Sequence, residues 1–143
     1  MSNLEAFMAQ NVHKPENKKI VVSNRFRNKD GRSMKWEIHS ITKKEDDILR
    51  KECTKRIPVK GRTGMYTPEL DTNIYLVRLA IACTSFPDLN DKELQDSYGV
   101  MGAEDLINKM LLPGEFTDYM DAVQEINGFD FSMDDVVEEA KNL

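Results

Sequence analysis

Two histidines and two cysteines have the widest chemical range in this chain, and their spacing argues against its use. His13 and His39 fall in different predicted elements, far apart in sequence. Zinc takes three or four ligands, usually in tight local spacing. Cys53 and Cys83 have no Cys-x-x-Cys neighbour and are too few to staple a secreted module. They read as small, buried or half-buried thiols of a reducing compartment. A Cys–His nucleophile pair has no local support.

Phosphate chemistry has one candidate. Lys60-Gly61-Arg62-Thr63-Gly64 is a Gly-x-x-Gly loop with basic residues, the kind that clamps a nucleic-acid backbone in KH domains. It lacks the Gly-Lys-Ser/Thr ending of a P-loop. A plain helix-to-helix connection explains it better, because short glycine loops are common. Phe26 and Trp36 are candidate stacking aromatics, yet aromatics on strands usually face a core. Asp88–Glu93 resembles a calcium loop only at first sight. Lys92 stands at its fifth position, Glu93 at its sixth and Gly99 at its twelfth. Carboxylate pairs such as Glu104-Asp105 and Asp134-Asp135 sit in first turns or on polar faces, where the helix dipole favours them. No acid–base dyad stands in an apolar setting. These residues predict no enzyme, no metal and no cofactor.

Methionine offers more. Of eight Met residues, Met101, Met110, Met120 and Met133 lie in the C-terminal helical part. Methionine adapts its shape and recurs on surfaces that accept varied helical partners. Met101, Leu106, Met110, Phe116 and Met120 are the candidate partner-binding residues, with core packing as their competing use.

The elements that must position them follow from periodicity and breakers. Ser2–Val12 reads as an amphipathic helix with capping-box spacing between Ser2 and Glu5, and Lys14–Lys19 as a linker. Ile20–Phe26 and Met34–Ile41 read as a hairpin around Asp30-Gly31. Thr42–Ile57 reads as a helix capped by Thr42 and Glu45 and ended by Pro58. Asp71–Phe86 is apolar almost all round, as a central buried helix is, with Ile74, Val77, Leu79 and Ile81 as expected core. A short helix runs from Asn90 to Ser97. Ala103–Leu112 and Glu115–Asn127 carry one-face stripes around Pro113-Gly114, a joint that would let them splay into a groove. Ser132 opens a last helix bearing Met133, Val136, Val137 and Ala140. The predicted fold is mainly α with a small N-terminal β-hairpin (α+β), a compact bundle of about five helices. Residues 1–19 would be an N-terminal helix and linker, and residues 20–143 one globular domain, with the hairpin at 20–41 and helices over 42–143.

Composition narrows the function classes. The 143 residues weigh 16.5 kDa and are 40% hydrophobic and 31% charged, enough for one packed core without disulfides. The longest apolar run, Ile74–Cys83, is interrupted by Arg78 and is short of the ~20 residues of a bilayer crossing. Met1–Gln10 has no secretory-signal character, so the expectation is a cytoplasmic protein. Residues 1–60 carry 15 Lys and Arg against 8 Asp and Glu, whereas residues 61–143 carry 5 against 17. The basic half with the Gly61–Gly64 loop keeps a small nucleic-acid-binding protein as the alternative. The overall pI of about 5.1 counts against it.

Four segments carry a family resemblance: SNLEAFMAQNV, then ECTKRIPVKGRTGMYTPELDTNIYLVRLAIAC, then PDLNDKELQDSYGVMGAEDLINKML, then VQEINGFD. They span nearly the whole chain. In them the chain resembles the XkdN-like phage tail assembly chaperones of prophages and contractile-tailed phages of Gram-positive bacteria. The resemblance implies a non-enzymatic role in tail morphogenesis, in the host cytoplasm and not in the mature virion. It implies the tape measure protein and tail tube subunits as partners, and a frameshifted longer form of the chain itself as a further one. It supplies no catalytic residues.

Overall fold

The computed structural model describes residues 3–129. In chain order it has a short 3₁₀ turn at Asn3–Phe7, strands β1 (Lys18–Ile20) and β2 (Trp36–Ile38), and helix α1 (Lys43–Glu52). Strands β3 (Thr54–Pro58) and β4 (Tyr66–Leu70), helix α2 (Thr72–Cys83) and strand β5 (Thr84–Phe86) follow. Helices α3 (Lys92–Ser97), α4 (Ala103–Met110) and α5 (Pro113–Ile126) complete it. The class is α+β, with five α-helices among the described residues. The strands are not confined to an N-terminal hairpin, however. The expected Ser2 cap and the helix after Ser132 lie outside the described residues, and the expected helix Ser2–Val12 is only the 3₁₀ turn, with Leu4, Phe7 and Met8 exposed.

The core assembles around α2. Asp71 caps it, its side chain accepting the Ile74 N–H at 3.2 Å. Tyr75, Leu79, Ala80 and Cys83 are buried and α1, α4 and α5 pack around the helix. Of the expected core positions only Leu79 is buried. Ile74, Val77 and Ile81 are half-buried and pack against the core from its margin. A helix that is apolar all round gives no phase, so its pattern cannot say which flank faces inward.

Trp36 and Ile38 close one end of the core. β2 alternates buried, half-buried, buried, so both side chains point inward and Glu37 points out. The Trp36 ring meets Tyr119 edge-on at 5.3 Å and Phe26 at 5.8 Å, so the aromatic pair serves the core. β2 is the middle of a three-stranded antiparallel sheet, flanked by β1 and β5. The second expected hairpin strand is thus shortened to Trp36–Ile38, and the first is displaced: β1 begins at Lys18 in the expected linker and shares only Ile20 with Ile20–Phe26. Between them, Ser23 Oγ accepts the Arg25 N–H at 3.1 Å, and Asn28 Oδ1 accepts those of Asp30 and Arg32 at 2.9 and 3.0 Å. These local acceptors compete with the ladder and leave one bridge, Arg27 to Ser33.

Two helix ends differ from expectation. α1 begins at the Thr42–Glu45 capping box but stops before Cys53, and Thr54 Oγ1 donates to Arg50 O at 2.7 Å. The chain then pairs as β3 with β4, so Pro58 ends a strand rather than a helix. α2 stops at Cys83 because Thr84–Phe86 pairs with β2. The Thr84 hydroxyl donates to Ala80 O at 2.6 Å and accepts from the Tyr119 hydroxyl. Asn127, just past α5, gathers three elements. Its Oδ1 accepts the Ile41 N–H at 2.9 Å, and its Nδ2 donates to Val123 O at 2.8 Å and to Cys83 Sγ at 3.4 Å.

Candidate partner-binding surface

The five candidate residues divide sharply. Leu106 is 0% exposed, Met110 5% and Met120 6%, and all three belong to the core beside Ile107 and Val123. Phe116 is half-buried against it. Met101 is 88% exposed. The two stripes therefore both face α2, and the splayed groove between α4 and α5 is not formed. The joint is locked rather than loose. Pro113 starts α5, Glu115 Oε1 accepts the Leu112 N–H at 2.8 Å, and Arg25 holds both sides. Its Nη2 donates to Met110 O at 2.8 Å and meets Glu115 Oε1 at 2.5 Å. The Arg25 guanidinium, helped by Ser23 and the Leu112 N–H, pulls the Glu115 carboxyl down to about 2.

Met101 is presented by a fixed loop. Gln95 Nε2 donates to Leu89 O at 2.9 Å, and its Oε1 accepts the Gly102 N–H at 3.0 Å. Gly102 has φ of 94°, a backbone region that side-chain-bearing residues avoid, and it opens α4. Beside this loop lies a groove of about 440 Å³ with Leu49, Ile81, Met101 and Ala103 as its apolar lining and Glu104 and Asp105 on its rim. Arg78 ties the groove walls together. Its Nε donates to Glu104 at 2.7 Å from α2, and its Nη1 lies 3.9 Å from Glu52 of α1. Leu49 was not singled out in the sequence, and Ile81 was read there as core. The signal was Arg78, a charge inside an apolar run, which marks the open flank of α2.

The other chemistry-bearing residues are dispersed. Burial raises the Cys53 and Cys83 thiols above their ordinary range, which makes them poor nucleophiles. His39 Nδ1 lies 2.6 Å from Ser85 Oγ across the β2–β5 pair, and His13 is exposed. Among the described residues no group of three His, Cys, Asp or Glu could hold a metal. Tyr75 donates its hydroxyl to Asp46, and burial together with that carboxylate pushes the phenol up to about 12. No helix among the described residues is long and apolar enough to cross a membrane. The Lys60–Gly64 segment is the tip of the β3–β4 hairpin, not a link between helices. Gly61 and Gly64 supply the positive φ values, 81° and 82°, that close it.

The sequence pattern of the phage XkdN-like tail assembly chaperone proteins matches residues 4–141. The chain belongs to that family. It is similar to the phage-like element PBSX protein XkdN of Bacillus subtilis (strain 168), 33% identical over 141 residues, covering 98% of this chain and 94% of the relative. It is also similar to the uncharacterized protein YqbN of the same strain, 32% identical over 141 residues, covering 98% of this chain and 93% of YqbN. The crystal structure of the protein YqbN has the same fold, with a TM-score of 0.75 at 27% identity, over 91% of this chain and 99% of that one.

Proposed function

We propose that this tail assembly chaperone acts without catalysis, binding helical segments of a tape measure protein and helping tail tube subunits assemble around it. It would work in the host cytoplasm, leave before the virion is complete, and share the task with any frameshifted longer form of itself. The Met101 groove carries the reading. A tape measure is long, helical and apolar along one side, and needs cover until the tube forms. An apolar trough with an exposed methionine at its lip suits a helix-in-groove mode. The acidic rim at Glu104 and Asp105 steers basic client segments and discourages wrong partners.

Co-expression with the long helical reading frame of the same tail gene cluster, followed by co-purification, tests it. The client should co-purify with the native chain and not with Met101→Asp, whose melting temperature stays unchanged. Retention of the client by Met101→Asp would remove the groove from the reading. Loss of co-purification by the native chain would remove the client.

A further inference from the structure

A second trough lies beside α1 and shares no residue with the Met101 groove. It holds about 230 Å³ between the start of α1 and the end of α5. Ile41, Leu79 and Phe129 are its apolar lining, and Lys43, Asp46 and Asn127 its polar margin. The polar groups already have partners. Asp46 meets Arg50 at 2.9 Å and accepts the Tyr75 hydroxyl, and Lys43 meets Asp47 at 2.8 Å. Asn127 is engaged with Ile41, Val123 and Cys83. What the trough still offers is apolar surface, chiefly Phe129, 47% exposed, and the half-buried Ile41. An apolar occupant fits it, and a small charged ligand does not.

The chain itself supplies one. α5 closes with the Gly128 N–H on Glu125 O at 3.0 Å and the Phe129 N–H on Gln124 O at 2.9 Å, the pair of bonds that turns a chain off a helix end. Phe129 is thereby set at the trough, and residues 130–143 continue from it. In helical spacing Met133, Val136, Val137 and Ala140 share one face, and Asp134, Asp135 and Glu138 lie off it. Residues 132–143 as a helix span about 18 Å, against about 15 Å for the ten residues of α1. The arm formed by β3 and β4, on which no side chain of Thr54–Pro58 or Tyr66–Glu69 is buried, begins only beyond the far end of α1. A segment that leaves from Phe129 therefore meets α1 first.

We propose that the C-terminal segment 130–143 straps the trough of its own body, laying the Met133–Ala140 face over Ile41, Leu79 and Phe129. The join at Phe129 keeps the segment at an effective concentration on the order of millimolar, which a free client or a second copy does not reach. Its carboxylates then face solvent and the exposed Lys43 lip. The strap ties the start of α1 to the end of α5 and leaves the Met101 groove open. No client takes part, so the isolated chain tests this contact independently of co-purification.

Iodoacetamide labelling of the full chain, read by mass spectrometry, is the measurement. Single cysteines enter by Val136→Cys and Val137→Cys on the apolar face and by Glu138→Cys off it. Cys53 and Cys83, 3% and 0% exposed, stay unlabelled while the body is folded and so report its integrity. The two apolar-face thiols should react about ten-fold or more slowly than the Glu138→Cys thiol, at every protein concentration. Adding Phe129→Asp should bring all three to one rate. Lys43→Asp, which sets a like charge against the segment, should shift them the same way and keeps the test available if Phe129→Asp does not fold. One common rate without either trough variant overturns the proposal. So does slow labelling that is lost on dilution, which assigns the trough to a second copy. Slow labelling that both trough variants leave untouched overturns it too, because the segment then rests elsewhere. Protection that arises only when the tape measure protein is added gives the trough to the client instead.

Discussion

The body and the arm of this chain solve opposite problems with similar residues. In the body, Met110, Met120 and Ile107 are sealed beneath α2 and its neighbours. In the arm, Ile57, Met65 and Tyr66 stand exposed on a two-stranded ribbon that has no second layer among the described residues. A lone hairpin is marginal in water and needs support at its base, which here comes from the Lys55–Asp71 ion pair and the Asp71 N–H bond to Cys53 O. Apolar content alone therefore does not separate core from contact surface. What covers a residue separates them.

Substitutions sharpen that contrast, beginning with the largest effect. Met110→Asp places an unpaired charge in the core and should cost ~4 kcal/mol or more, enough to unfold the chain, whereas Met101→Asp should leave the melting temperature nearly unchanged. Thermal denaturation of the two variants side by side decides it. Equal losses would mean that burial is not what distinguishes them. Next, Leu79→Ala should cost roughly 2–5 kcal/mol in urea unfolding, and Ile81→Ala distinctly less, because Ile81 is only half-buried at the groove.

A pH effect comes third. The Glu115 carboxyl sits near 2 in the folded chain against an ordinary 4.5. A depressed folded pKa means that the unfolded chain binds the proton first. The contribution of Glu115 is thus complete above about 4.5 and is lost as pH falls towards 2. Glu115→Gln should flatten the acid limb of the stability profile in that window, and an unchanged limb would show that Arg25 does not hold the α4–α5 joint through charge. Smallest of all, Ile57→Ala in the arm should change stability by no more than ~0.5 kcal/mol, since the side chain already meets water. A larger loss would place the arm in the cooperative core.

Local signals were readable where the partner is close in sequence. The Thr42–Glu45 capping box starts α1 where its spacing says, and the stripe of α4 is buried at Leu106, Ile107 and Met110. Distant partners were not readable. β5 follows the apolar run Ile74–Cys83 with no glycine or proline between them, and only its pairing with Glu37 and Ile38 turns Thr84–Phe86 into a strand. The arm was hidden for a related reason: Thr54 follows the polar face of α1 directly, and its partner strand lies beyond two glycines. Of the candidate residues, Met101 alone is strongly exposed, and it stands outside any stripe, between Gly99 and Gly102. Leu106, Met110 and Met120 were read as possible lining because periodicity shows that a face is apolar without showing what meets it.

Asn127 carries one more consequence. The amide of Ile41 is held by a side chain 86 positions later in the chain, which also reaches Cys83 and Val123. That amide can exchange its hydrogen for deuterium only when the far end of α5 lets go of the start of α1. Its exchange rate therefore clocks the opening of the body as a whole, while the amides of the arm keep a faster, local time.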